Sequence, residues 1–157
     1  FIVFRTFSKA YGLAGIRLGF MVSSPENIEY FSKSRSIVES NSLSMKIGEY
    51  FLDHPELLDS HVKEVKEGSA FVQKELDNLR LDWHGGYFTN GILIFLNSKL
   101  ESDEIVAYLK EQNIYIRGAF EPPFERAIRV SIGPKSSMEL FIEKLKQGLN
   151  CSRKEEV

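Results

Sequence analysis

Ser8-Lys9-Ala10-Tyr11-Gly12-Leu13-Ala14-Gly15-Ile16-Arg17-Leu18-Gly19 follows the apolar run Phe1-Ile2-Val3-Phe4 and leads into a second one, Leu18-Gly19-Phe20-Met21-Val22. The runs read as strands, the first as a buried core strand, and the stretch between them as a glycine-punctuated loop. Gly12, Gly15 and Gly19 let the backbone turn tightly and approach a ligand closely, which a Cβ would hinder. A lysine fixed in such a loop can be desolvated, and desolvation favours the neutral, nucleophilic amine. That is the form that makes a Schiff base with a carbonyl. Arg17 offers a planar fork of donors to phosphate oxygens, and the Ser8 hydroxyl adds another. The plainer reading, a connector with a solvated lysine and a surface cation at a strand start, leaves the companion glycines unexplained.

Composition narrows the function classes. The 157 residues suffice for a sizeable core, and 43% hydrophobic with 27% charged residues is ordinary for a globular protein. A formal charge of −2 argues against a general nucleic-acid or anionic-membrane surface. No apolar run approaches membrane-spanning length, and none resembles a secretory signal. The single cysteine, Cys151, lies in a polar stretch, so no disulfide framework is expected. His54, His61 and His84 are too scattered for a metal site. A reducing, cytoplasmic compartment is the corresponding expectation.

Further along, Ser24-Pro25-Glu26 starts a helix over 27–36, and a second helix is predicted over 42–52. His54-Pro55-Glu56 restarts the chain into a long amphipathic helix reaching residue 81. Gly85-Gly86 marks a turn, and Ile92-Leu93-Ile94-Phe95-Leu96 is a continuous apolar strand. A helix over 102–112, a strand at Ile114-Tyr115-Ile116-Arg117, a strand over 127–132 and a closing helix over 138–149 complete the pattern. The Pro122-Pro123 pair breaks the chain before the 127–132 strand. From Ile92 onward this is an α+β layer, with helices on one face of a small sheet. Phe120 and Phe124, flanking the double proline, either pin that loop or line an entrance.

The pattern Ser-Lys-x-x-Gly-x-x-Gly-x-Arg-x-Gly resembles the cofactor-attachment segment of fold-type I pyridoxal-phosphate aminotransferases. Arg5-Thr6-Phe7-Ser8-Lys9-Ala10, followed by Gly12-Leu13-Ala14-Gly15, is most similar to the histidinol-phosphate aminotransferase branch. The resemblance implies an overall α/β fold, of which this chain is the end of the large domain plus a small α+β C-terminal domain. Its boundaries are 1–53 for the large-domain part, 54–84 for a linking helix, 85–150 for the small domain and 151–157 for a frayed tail. The chain opens at Phe1 without methionine, so the second half of such an enzyme is expected, with the first half building most of the cofactor pocket. The isolated chain is then expected neither to retain cofactor nor to turn over.

The same resemblance implies pyridoxal 5′-phosphate as cofactor, Lys9 as its covalent anchor and proton shuttle, and Ser8 and Arg17 as phosphate ligands. Arg129, in Ile128-Arg129-Val130-Ser131-Ile132-Gly133, matches the arginine that binds the substrate α-carboxylate. Otherwise it is a strand arginine reaching solvent at a sheet edge. Arg117 matches an arginine at the substrate end of the site, although Gly118 follows it where relatives usually carry an acid. Gly91 stands where the branch commonly has an aromatic, which questions histidinol phosphate more than it questions aminotransfer. The implied partners are an amino donor, a 2-oxo acid acceptor and a second copy in a homodimer. Two rivals remain open: a threonine-phosphate decarboxylase-like lyase, and a non-catalytic effector domain of a transcription regulator.

Overall fold

A computed structural model describes residues 1–36 and 40–152. The chain divides at Val62, within its longest helix, into two compact units.

In the first unit, β1 (Val3–Thr6) and β2 (Gly19–Val22) pair antiparallel, with Val3 opposite Val22 and Thr6 opposite Gly19. Gly19 is glycine because a Cβ there would stand 2.8 Å from the Arg5 carbonyl oxygen. Strand pairing by itself thus requires glycine here. The helix α1 (Pro25–Ser32) is capped by the Ser24 hydroxyl, with proline at its first position. It ends four residues short of the predicted 36. Asn41 caps α2 (Ser42–Asp53) by accepting from the Ser44 N–H at 2.8 Å. The expected strand forms from Val3, but this chain does not bury it: Phe1 is 101% and Phe4 72% exposed. No third strand or packed layer covers them among the described residues. Phe7 is the one buried hydrophobic side chain of this unit's described residues, stacked on Tyr11 with ring centroids 4.5 Å apart.

The second unit begins inside α3 (Pro55–Asn78) and is built around a three-stranded antiparallel sheet of order β3-β4-β5. The strands are β3 (Asp82–Gly85), β4 (Gly91–Phe95) and β5 (Ala127–Ser131). Strict alternation in β4 sends Ile92 and Ile94 to one face, joined there by Ile128 and Val130 of β5. That face packs against Val72 and Leu76 of α3, Ile105 and Leu109 of α4 (Lys99–Glu111), and Phe141, Ile142 and Leu145 of α5 (Lys135–Ser152). The helices thus cover one face of the sheet, and the other face stays open. Ser98 and Glu101 close the start of α4 reciprocally: the Ser98 hydroxyl accepts from the Glu101 N–H, and the Glu101 carboxylate accepts from the Asn97 N–H. Asn113, left-handed at φ 60°, ends that helix.

α3 ends at Asn78, three residues short of 81, and α4 begins at Lys99, three before 102. α5 spans Lys135–Ser152, three beyond the predicted 138–149 at each end. Two further elements differ in kind. β3 is a strand although its sequence, Asp-Trp-His-Gly, carries no apolar alternation; pairing with β4 specifies it. The segment Ile114-Tyr115-Ile116-Arg117 is not a strand; it pairs with β5 through a single bridge between Arg117 and Arg129. Cys151 and Ser152 belong to α5, and the rest of the predicted tail lies outside the described residues.

Candidate active site

Ser8, Lys9 and Arg17 share the loop that joins β1 to β2. The loop is closed by its own backbone: the Phe7 N–H donates to the Leu18 carbonyl at 3.1 Å, and the Leu13 N–H to the Phe7 carbonyl at 2.9 Å. Lys9 opens a tight turn in which the Gly12 N–H donates to the Lys9 carbonyl at 2.8 Å. Gly12 holds φ +69° there, a conformation that favours glycine. Lys9 itself is exposed. The desolvation expected from the sequence is thus not supplied by the described residues of this chain.

The phosphate-type donors are held by contacts that sequence spacing did not reveal. Thr6 Oγ1 accepts from the Ser8 N–H at 3.1 Å and donates to Ser8 Oγ at 3.0 Å. The Ser8 hydroxyl proton is then left for an outside acceptor. A short 3-10 turn, Ala14–Ile16, delivers Arg17 in left-handed backbone with φ 53°. Such a conformation costs a bulky residue about 1 kcal/mol, so something must hold it. Ser44, buried on α2, donates its hydroxyl to the Ile16 carbonyl at 2.7 Å. Gly48, one turn along, lets Leu18 lie where a Cβ would stand 2.4 Å from its Cδ2. Arg17 Nη1 donates to the Ala14 carbonyl at 3.0 Å, which fixes one end of the guanidinium and leaves its other donors outward. A Cβ at Gly12 or Gly15 would meet nothing within 4 Å, so this surface of the loop is open. A primary amine, a hydroxyl and a guanidinium around an open loop suit a ligand carrying an aldehyde and a phosphate.

In the second unit, Arg117 and Arg129 stand directly opposite each other. The Arg129 N–H donates to the Arg117 carbonyl at 2.6 Å, and the Arg117 N–H returns the bond at 3.1 Å. Directly opposed antiparallel residues project from the same face, here the one the helices leave open. The Arg117 guanidinium lies 5.0 Å from the Phe120 ring centroid. Neither arginine has a carboxylate ion-pair partner among the described residues. Both side chains are exposed, so each guanidinium can take an outside anion.

The family model for aminotransferase class I and II matches residues 1–145. The chain belongs to that family. The family is pyridoxal-phosphate-dependent. Among its members, a dihydroxyacetone phosphate transaminase of Campylobacter jejuni is 31% identical over 93% of this chain and 40% of its own length. A histidinol-phosphate aminotransferase of Oceanobacillus iheyensis is 29% identical over 93% of this chain and 39% of its own. The crystal structure of histidinol-phosphate aminotransferase from Sinorhizobium meliloti in complex with pyridoxal-5′-phosphate superposes with TM-score 0.80 at 25% identity, covering 96% of this chain and 41% of that one. L-threonine-O-3-phosphate decarboxylase from Porphyromonas gingivalis shares the fold, with TM-score 0.78 at 24% identity over 95% of this chain and 46% of that one. The chain thus spans about 40% of the length of the curated relatives it matches. The fold is that of the fold-type I aminotransferases.

Proposed function

We propose that this aminotransferase chain supplies the lysine and the anion-binding arginines for pyridoxal-phosphate-dependent transfer of an amino group. The donor is an amino acid or an amino-phosphate such as histidinol phosphate, and the acceptor is a 2-oxo acid. What supports the proposal is the β1–β2 loop, which carries Ser8, Lys9 and Arg17 in one stretch closed by its own backbone hydrogen bonds.

Within this reading Lys9 Nζ is the covalent anchor of the cofactor. Displaced by the incoming amine, the same nitrogen takes the proton from the substrate's Cα and later returns a proton to the product side. The chemistry supplied by the bound cofactor is a sink for the electron pair left at Cα. Arg17, fixed by its own turn, and Ser8, with its proton left free by Thr6, hold the phosphate and so keep the ring from drifting away from Nζ. Arg129 and Arg117 receive the anionic end of the substrate and orient its Cα–H bond. The protein is cytoplasmic and works as a homodimer in this proposal. The 157-residue chain by itself neither retains cofactor nor turns over.

Borohydride reduction of the full-length protein with pyridoxal phosphate, followed by peptide mass mapping, tests the anchor. A phosphopyridoxyl adduct on Lys9 is expected, and the unreduced protein should give keto product from the amino donor. A folded full-length protein without that adduct would overturn the proposal. Carbon dioxide release without keto product would replace transamination by decarboxylation.

A further inference from the structure

Glycine at the start of a central strand needs a reason, because it gives up side-chain packing and backbone order that any larger residue would supply. Gly91 opens β4, the middle strand of the sheet, and its backbone is not in the left-handed region. No conformational demand therefore selects glycine here. A Cβ built at Gly91 would stand 2.9 Å from Arg129 Nη2, 3.0 Å from Nε and 3.3 Å from Cζ. All three nearest atoms belong to one guanidinium. Gly91 pairs with Ser131 and Leu93 with Arg129, so Arg129 is the diagonal neighbour of Gly91 and leans along the sheet to lie over it.

We propose that Gly91 is a positioning residue that sets the depth at which Arg129 binds the anionic end of the substrate. With no side chain at 91, the guanidinium lies down against the β4 backbone, and its fork stays close to the sheet. Any side chain there lifts the fork, and an oxyanion held by it moves outward with it. Bidentate pairing is directional, so a displacement of a few tenths of an ångström changes which substrates fit. The ligand class is an oxyanion offering two coplanar oxygens, carboxylate or phosphate. This rests on Arg129 meeting the substrate anion.

Calorimetric titration of the full-length protein with succinate and, separately, with inorganic phosphate tests it. The proteins are the wild type, Gly91→Ala, Arg129→Ala and the double variant. Gly91→Ala should weaken binding on the order of tenfold, Arg129→Ala should abolish the arginine-dependent part, and the double variant should match Arg129→Ala. The probe that shows this coupling identifies the anion. In turnover, Gly91→Ala should raise KM for the anionic substrate and lower kcat as well, because the displaced fork also turns the Cα–H bond that it orients. Equal binding by Gly91→Ala and wild type overturns the inference. So does an additive loss in the double variant, or a wild type that binds neither probe. Should Gly91→Ala fail to fold, the double variant must fold, because the obstructing guanidinium is gone; if it also fails, the inference falls. The Lys9 adduct is read separately, so loss of that adduct with intact coupling removes only the aminotransfer reading.

Discussion

At the residue scale the loop itself was legible because it is contiguous. Ser8, Lys9 and Arg17 stand within one stretch, and their types state their chemistry without any fold. What positions Arg17 was not legible. Ser44 is distant in sequence, and an isolated serine in a helix carries no signal until the Ile16 carbonyl is found beside it. Ser44→Ala leaves that carbonyl without its donor and should cost about 1–2 kcal/mol. Because the bond holds the turn that precedes Arg17, cofactor affinity of the full-length protein should fall several-fold, read by absorbance titration. The glycines, alike in sequence, separate by role. Gly15→Ala, with open space around it, should leave the urea midpoint unchanged. Gly12→Ala, at positive φ, should lower stability by about 1 kcal/mol.

Elements were legible where propensity and packing agree. The helices α2 and α3 start at Ser42 and Pro55, where the apolar spacing and Pro55 place them. β3 was missed because an edge strand of four residues takes its conformation from the neighbour it pairs with. The 114–117 segment looks like a strand locally, yet its partner β5 offers it a single bridge. Close packing of α2 on the loop predicts that Gly48→Val destabilises by about 2–3 kcal/mol, since overpacking against Leu18 outweighs the roughly half-kcal gain in helix propensity. Between α3 and α5, Lys146 donates to Glu75 at 2.5 Å and holds the Glu75 carboxyl below its ordinary range. A depressed carboxyl contributes stability fully present above its unfolded value and lost as pH falls through the lowered folded value. Glu75→Gln should therefore flatten the acid side of the stability curve, with little change in its slope at neutral pH. Urea midpoints across the acid range measure this.

On the scale of the whole molecule the two units hold themselves together differently. Residues 63–157 share a continuous core from Val72 to Leu149, whereas among the described residues 1–62 only Phe7 is a buried hydrophobic. Amide exchange of this chain should show strong protection in β4, β5, α4 and α5 and near-free exchange in β1, β2 and α1. Leu145→Ala, inside the core, should cost about 2–5 kcal/mol. Equal protection of both units would contradict the difference in burial.

The exposed ribbon of β1 and β2 also affects how the chain behaves at high concentration. No third strand pairs with either among the described residues, so both outer rims carry bare amide and carbonyl groups beside Phe4 and Val22. Such rims do not discriminate between a covering strand and the same ribbon of another molecule. Storage of this chain is thus a race between cover and self-association. Light scattering should rise steeply with concentration and fall when Val22→Lys puts a charge on the rim.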